Sequence, residues 1–268
     1  MRVDAVKTRL IKPGDDLLEV LKETGTLDSL PERSVICVTS KVVSLEQRRL
    51  VELDQVEPSE VAQSLNQLKY SMDFRRYPGL AQLILEESEW VYEGRYVYLT
   101  LKDGMFIPNA GIDLSNVEEG SAILWPTEPF KWAAEFRRRL KETASVGQVG
   151  VLLTDSRCTP LRRGVIGLAM AYSGFEGVED RSGTCDLFGR ELRFTSMAVA
   201  DDLACAGVLV MGEASERTPF AVIEGAPLTF TDRDIDSDEL NIDPEIDLFA
   251  GLYDEKLFEA LKGLERRR

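Results

Sequence analysis

Val149-Gly150-Val151-Leu152-Leu153-Thr154 is an unbroken apolar run that stops at Asp155-Ser156. Six residues are too few for a buried helix and suit a buried strand. A second run of the same kind, Ser34-Val35-Ile36-Cys37-Val38-Thr39, follows Pro31 and stops at Ser40-Lys41. Working outward, Asp15 or Asp16 can cap a helix after the Pro13-Gly14 turn, with Leu17, Leu18, Val20 and Leu21 on one side. Trp132, Phe136 and Leu140 recur at helical spacing and predict a helix near 128–143, with Arg137, Arg138 and Lys141 facing water. Tyr96 to Leu101, then Lys102-Asp103-Gly104, then Met105-Phe106-Ile107 reads as a hairpin with an Asp-Gly turn.

The rest is more mixed. Residues 56–89 are helical in places and broken at Pro78-Gly79. Residues 161–195 carry Gly164, Gly167, Gly174, Gly177, Gly183 and Gly189, which predicts turns and close backbone approach to a ligand. An apolar helix follows over 198–211 and ends at Gly212-Glu213. An acidic stretch, Asp232 to Asp247, reads as a solvated linker before a last helix from Leu248 to about Leu264, closed by three arginines. Strands and helices mix without regular alternation, so the expected class is α+β, with mixed or antiparallel sheets and packed helices. The chain is long enough for one large domain or two interlocked smaller ones. The division expected is a body over 1–231, as two interlocked subdomains, and an appendage over 232–268.

Charge and missing residue types narrow the chemistry. With 32 Lys plus Arg against 47 Asp plus Glu, the formal net charge is −15, which disfavours nucleic-acid backbones and anionic membranes. No apolar run approaches a membrane span and the first residues form no signal peptide, so a cytoplasmic protein is expected. Cys37, Cys158, Cys185 and Cys205 form no C-x-x-C pair. There are no histidines, which excludes Ser-His-Asp, Cys-His and His-ligated zinc chemistry from within the chain. An acid-rich, histidine-free chain favours magnesium or manganese held by oxygen. Neither a P-loop nor a G-x-G-x-x-G turn occurs.

Three places could carry that chemistry, and each has a plainer reading. Asn109-Ala110-Gly111-Ile112-Asp113-Leu114-Ser115-Asn116 is either a loop of metal and nucleotide ligands or an Asx-turn network. Asp155-Ser156, at a strand's exit beside Arg157, Arg162 and Arg163, either holds a cation or pairs with its local arginines. Gly212-Glu213-Ala214-Ser215-Glu216 is either a site or a helix stop followed by solvated acids. Asp201-Asp202 reads as a solvated patch. Asp232 to Asp243 lacks the glycine and glutamate of a calcium loop.

In order and spacing these segments resemble the coenzyme F420-0:γ-glutamyl ligase family over roughly residues 4–225. The matching stretches are Leu10-Ile11-Lys12 with Gly14-Asp15-Asp16-Leu17, Leu85 to Glu89, Asn109 to Ser121, and Thr154-Asp155-Ser156. Further along come Arg162-Arg163-Gly164-Val165, Asp186 to Leu192 and Val199 to Glu213. The resemblance implies an α+β homodimer that uses GTP and magnesium or manganese, with potassium as a further cation, to join L-glutamate to F420-0. It also implies one cation on Asp113 and Asp155, the catalytic carboxylates, and a second on Ser156 and Glu213. Nucleotide contacts fall on Thr8, Arg9, Leu10 and Ile11, on Ser40 and Lys41, on Asn116, and on Met211, Gly212, Glu213, Ala214, Ser215, Glu216, Arg217 and Thr218. The sequence departs from the family at Ser44-Leu45, where a Ser-Lys pair is usual, and at Arg157-Cys158-Thr159-Pro160-Leu161. The second departure resembles a bacterial subgroup proposed to act on folate, which makes folate the alternative acceptor. A catalytically silent nucleotide- or metal-binding homologue is the other reading, favoured by Leu45 and opposed by the intact ligand set.

Overall fold

The computed structural model describes residues 1–67, 72–94, 96–253 and 255–265. In chain order the elements are β1 (Arg2–Val6), α1 (Leu17–Glu23), β2 (Ser34–Thr39), α2 (Ser40–Glu46) and β3 (Leu50–Glu52). Next come α3 (Glu60–Gln67), α4 (Met72–Arg76), α5 (Gly79–Glu87), β4 (Trp90–Glu93), β5 (Tyr98–Lys102), β6 (Met105–Pro108) and β7 (Ser121–Ile123). Then follow α6 (Pro129–Ala144), β8 (Val149–Cys158), β9 (Val165–Ser173), β10 (Glu179–Asp180) and β11 (Ser196–Met197). The last are α7 (Val199–Met211), β12 (Phe220–Glu224) and α8 (Glu255–Glu265). The class is α+β, as expected. The chain forms two compact units: residues 1–48 with 126–240, and residues 49–125 with 241–268.

The first unit is built on a five-stranded sheet in the order β1-β12-β2-β8-β9. Only β2 and β8, the two apolar runs, pair in parallel, with Thr39 opposite Thr154. Both runs are buried at every residue from Val35 to Val38 and from Val149 to Leu153, so both sheet faces are covered. On one face α7 packs Leu203, Ala204 and Val208 against Cys37, Leu152, Ala169 and Ala221. Alternate residues Ile36, Val38, Val151 and Leu153 point to the other face. At the edge, β8 runs past Thr154 to Cys158 because β9 pairs with it throughout, Ser156 opposite Gly167. The glycine pattern of 161–195 predicted turns here. Instead Val165-Ile166-Gly167-Leu168-Ala169 is strand, and Gly167 lacks a side chain because α7 lies there: a Cβ would stand 2.3 Å from the carbonyl oxygen of Ala204.

Local signals held elsewhere. Asp16 caps α1, its Oδ1 accepting from the backbone N–H of Leu18 at 2.9 Å and of Glu19 at 3.3 Å. Arg137 differs from expectation: its Nε donates to the carbonyl of Val149 at 2.7 Å and its NH2 to Asp232, leaving the side chain 11% exposed. The stretch after Asp232 is likewise no free linker at its start. Lys141 joins Arg137 on Asp232, and Arg233 grips Glu176 and Glu239.

The second unit holds an antiparallel β4-β5-β6 sheet and a β3-β7 pair. Asp103 and Gly104 take φ of 51° and 76°, the left-handed pair that the Asp-Gly hairpin turn requires. Its core gathers Leu80, Ile84, Tyr98, Ala110, Ile112 and Ala122. Helices α3, α4 and α5 form over the predicted helical stretch, with α5 starting at the Pro78-Gly79 break. The predicted closing arginines, 266–268, and positions 68–71 lie outside the described residues.

Candidate active site

Parallel pairing of β2 with β8 sets the geometry. With Thr39 opposite Thr154, the residues that follow leave the sheet side by side, and the Oγ of Ser40 donates to Oδ1 of Asp155 at 2.9 Å. Two residues 115 apart in sequence thereby share the exit of two adjacent parallel strands. Ser40 also opens α2 and is buried, while Asp155 is half-buried.

Ser156 is the next residue along β8 and projects to the opposite side. Its Oγ donates to Oε1 of Glu213 at 2.6 Å. Glu213 stands there because α7 stops at Gly212, whose φ of 79° suits a residue without Cβ. The loop that follows is closed on itself. Ala214 N–H donates to Glu216 at 2.8 Å, and the hydroxyl of Thr218 donates back to the carbonyl of Met211. It is tied to its neighbours as well: Thr8 N–H donates to the carbonyl of Arg217 at 2.9 Å, and Thr39 N–H to that of Pro219 at 3.0 Å.

Thr8, Ser40, Asp155, Ser156, Glu213 and the 211–218 loop therefore converge in one unit. Lys41 follows Ser40 on α2 and is half-buried. Beyond Thr8 the predicted segment divides: Leu10 is exposed and Ile11 is buried. Arg9 is held by Asp15 at 2.5 Å and by Glu23 at 2.9 Å. Leu45, the half-buried residue at the departure from the family, receives the N–H of Gly14 on its carbonyl at 2.8 Å.

Asp113 and Asn116 belong to the second unit. Asp113 is fixed through its backbone, which exchanges two hydrogen bonds with Ile123 at 3.0 and 2.9 Å. Its carboxylate accepts from the N–H of Ser115 at 2.7 Å and from the hydroxyl at 3.0 Å, the Asx-turn arrangement. Asn116 takes a left-handed φ of 57°.

Arg157 and Asp201 were missed as a pair. Burial pushes the Arg157 guanidinium pKa down, against the pull of Asp155 and Asp201 nearby. Asp201 accepts from the N–H of Ala169 at 2.9 Å, and burial pushes its pKa up. It is thus no solvated patch. Only the tertiary fold brings α7 to the edge of β9, so nothing in Asp201-Asp202 signals this.

The donor set suits a hard cation. Neighbouring oxygens around magnesium, each about 2.1 Å from the ion, stand about 3.0 Å apart. The Ser156–Glu213 and Ser40–Asp155 pairs are joined here by hydrogen bonds, and every side-chain donor and acceptor among them is oxygen. Among the described residues no three His, Cys, Asp or Glu side chains gather into a metal-binding group, so serine hydroxyls or water must complete any such site.

The chain is similar to known proteins over most of its length. The model of the F420-0:Gamma-glutamyl ligase family matches residues 5–225. The chain is similar to the coenzyme F420:L-glutamate ligase of Methanopyrus kandleri, 38% identical over 84% of this chain and 87% of that protein. It is 37% identical to the enzyme of the same name from Archaeoglobus fulgidus, over 81% and 84% respectively. A third, from Methanothermobacter thermautotrophicus, is 33% identical over 90% and 95%. Fold and similarity together define a ligase that forms carbon–nitrogen bonds. The chain belongs to the F420-0:gamma-glutamyl ligase family.

Proposed function

We propose that the chain joins the amine of L-glutamate to a carboxylate of coenzyme F420-0 as a γ-glutamyl amide, consuming GTP. The observation that carries this reading is the convergence of Thr8, Ser40, Asp155, Ser156 and the 211–218 loop at one end of one sheet, in a chain of this family.

A carboxylate does not acylate an amine at neutral pH. The acceptor carboxylate first takes the γ-phosphoryl group, forming an acyl phosphate and releasing GDP. The glutamate amine attacks the acyl carbon, phosphate departs, and the amine proton passes to that phosphate or to a carboxylate. Catalysis of such transfers is chiefly positioning and charge neutralisation, which needs no histidine. Bound magnesium or manganese supplies the neutralising charge.

The chain's own residues hold and orient. Asp155 and Asp113 are the carboxylates proposed for one cation, Ser156 and Glu213 for the other, and potassium is a further candidate ion. The part of Asp113 rests on the sequence pattern alone. Thr8 to Ile11, Ser40-Lys41, Asn116 and Met211 to Thr218 are proposed to take the nucleotide. Catalysis is assigned to the 1–231 portion, with 232–268 as its appendage.

A homodimer is proposed as the working form. Leu161, Leu187, Phe188 and Phe194 are each more than four-fifths exposed on the first unit, and burial of such apolar side chains would favour association. A reducing, cytoplasmic setting fits four cysteines that are all free. No helix of the described residues is long and apolar enough to cross a membrane.

Folate is the second acceptor reading, and the Arg157-to-Leu161 sequence is what favours it. The three relatives described above are all named for F420. Incubation with glutamate, manganese, GTP or ATP, and either acceptor, followed by mass spectrometry, tests both. Gains of one or more glutamyl units on F420-0 with GTP support the proposal. Gains on folate alone move the activity to the second reading, and no gain on either acceptor rejects it.

A further inference from the structure

Arg9 stands in the segment proposed to contact the nucleotide, and a guanidinium there invites a role as a phosphate ligand. Its hydrogen bonds say otherwise. Nε donates to Glu23 at 2.9 Å, and NH1 donates to Asp15 at 2.5 Å and to the carbonyl of Leu10 at 3.1 Å. The Arg9 guanidinium is thus already engaged by two carboxylates, with Lys12 the other cation near Asp15.

The carboxylates come from opposite ends of one helix. Asp15 precedes α1 and Glu23 is its last residue, so Arg9 spans the helix from outside. Asp15 also receives the N–H of Lys12 at 2.7 Å, while its own N–H donates to the carbonyl of Lys12 at 3.0 Å. Arg9 and the backbone of Lys12 hold the Asp15 carboxyl below the usual carboxylate range. The segment is pinned on its other side by Thr8, whose N–H donates to Arg217 and whose hydroxyl donates to the carbonyl of Arg9 at 2.8 Å. The backbone from Thr8 to Lys12 is thus fixed at both ends against two solid neighbours, α1 and the 211–218 loop.

We infer that Arg9, Asp15 and Glu23 form a clamp that presents the Thr8–Ile11 backbone to the nucleotide, with Asp15 and Glu23 as positioning residues and Arg9 as their tie. This rests on the GTP-dependent reading above. The clamp and the phosphate-ligand alternative predict opposite signs. If the carboxylates position the loop, removing their charge loosens it and weakens nucleotide binding. If they merely compete with phosphate for Arg9, removing their charge frees the guanidinium and strengthens binding.

The test titrates GTP in the presence of manganese against the full-length protein and its Glu23→Gln and Asp15→Asn variants, with turnover measured in parallel. Glu23 is exposed at the far end of α1, so Glu23→Gln keeps the fold even where Asp15→Asn does not. Expected is a rise in the KM and Kd for GTP of about two- to fivefold for Glu23→Gln, the scale of an exposed ion pair, and a larger one for Asp15→Asn. The kcat and the KM for glutamate should change less than twofold, which general loosening of the protein would not produce. Arg9→Leu combined with Glu23→Gln should be no worse than Arg9→Leu alone. Tighter GTP binding in either carboxylate variant, or an unchanged Kd in Glu23→Gln, overturns the clamp while leaving the GTP reading intact. Failure of the unmodified protein to bind GTP overturns both.

Discussion

Replacing Gly167 with alanine tests the packing that sets the distance between Ser156 and Glu213. A Cβ at this position would lie 2.3 Å from the carbonyl oxygen of Ala204, 2.6 Å from its carbon and 2.8 Å from Cγ2 of Val208. Val208 can change rotamer, but the Ala204 backbone belongs to α7 and cannot. To reach even 3.0 Å the helix must retreat from β9 by about 0.7 Å, and cores do not absorb such shifts without loss. Overpacking of this kind costs about 1–3 kcal/mol. In a unit of this size that lowers the melting temperature by roughly 2–4 °C per kcal/mol. The consequence reaches the site, because Gly167 is opposite Ser156 in the sheet and α7 ends two residues before Glu213. Their 2.6 Å hydrogen bond should lengthen, and a misplacement of this order can lower kcat/KM about tenfold or more. The assays are differential scanning calorimetry and glutamate-dependent turnover, with Gly251→Ala, where nothing lies within 4 Å of a Cβ, as the control. A Gly167→Ala protein that melts within 1 °C of the parent, equivalent to about a quarter to half a kcal/mol, and turns over normally would refute the close approach of α7 to β9.

Other outcomes follow from the same structure. Asp155→Asn should fold normally, keep an acceptor for Ser40, and lose activity on the order of a hundredfold, as measured by turnover alongside a circular-dichroism melt. Asp16→Ala removes a helix cap and the partner of Arg139, and should cost about 1–2 kcal/mol in denaturant titration. Burial raises the Asp16 pKa, but Arg139 and the N–H groups of Glu19 and Leu18 more than offset this, so the folded value lies below the unfolded one. Its contribution is therefore present above the unfolded value of about 3.9 and lost as pH falls through the folded one, so the gap between parent and Asp16→Ala should close in acid. Among the thiols, Cys158 and Cys185 are exposed and should react promptly with a disulfide reagent. Cys37 is fully buried with its pKa pushed up, and should react only after unfolding; early labelling of Cys37 would show that the α7 face of the sheet is open.

Sequence alone determined the elements whose cause is local. Two apolar runs make β2 and β8, buried at every residue from Val35 to Val38 and from Val149 to Leu153. Asp16 starts α1 because its carboxylate meets free N–H groups one turn away, and Asp103-Gly104 turns the hairpin because both tolerate positive φ. The candidate site residues were legible as separate polar groups at the ends of such elements, and the family pattern supplied their grouping. Tertiary structure decided what depends on partners far along the chain. β9 carries a glycine that reads as a turn until α7 is seen pressed against it. Arg137 reads as solvent-facing until the carbonyl of Val149 and Asp232 receive it. Ser40 and Asp155 meet across 115 residues only because β2 and β8 lie parallel with Thr39 level with Thr154. Strand register is a pairwise property, fixed by which faces are buried, and no single segment encodes it.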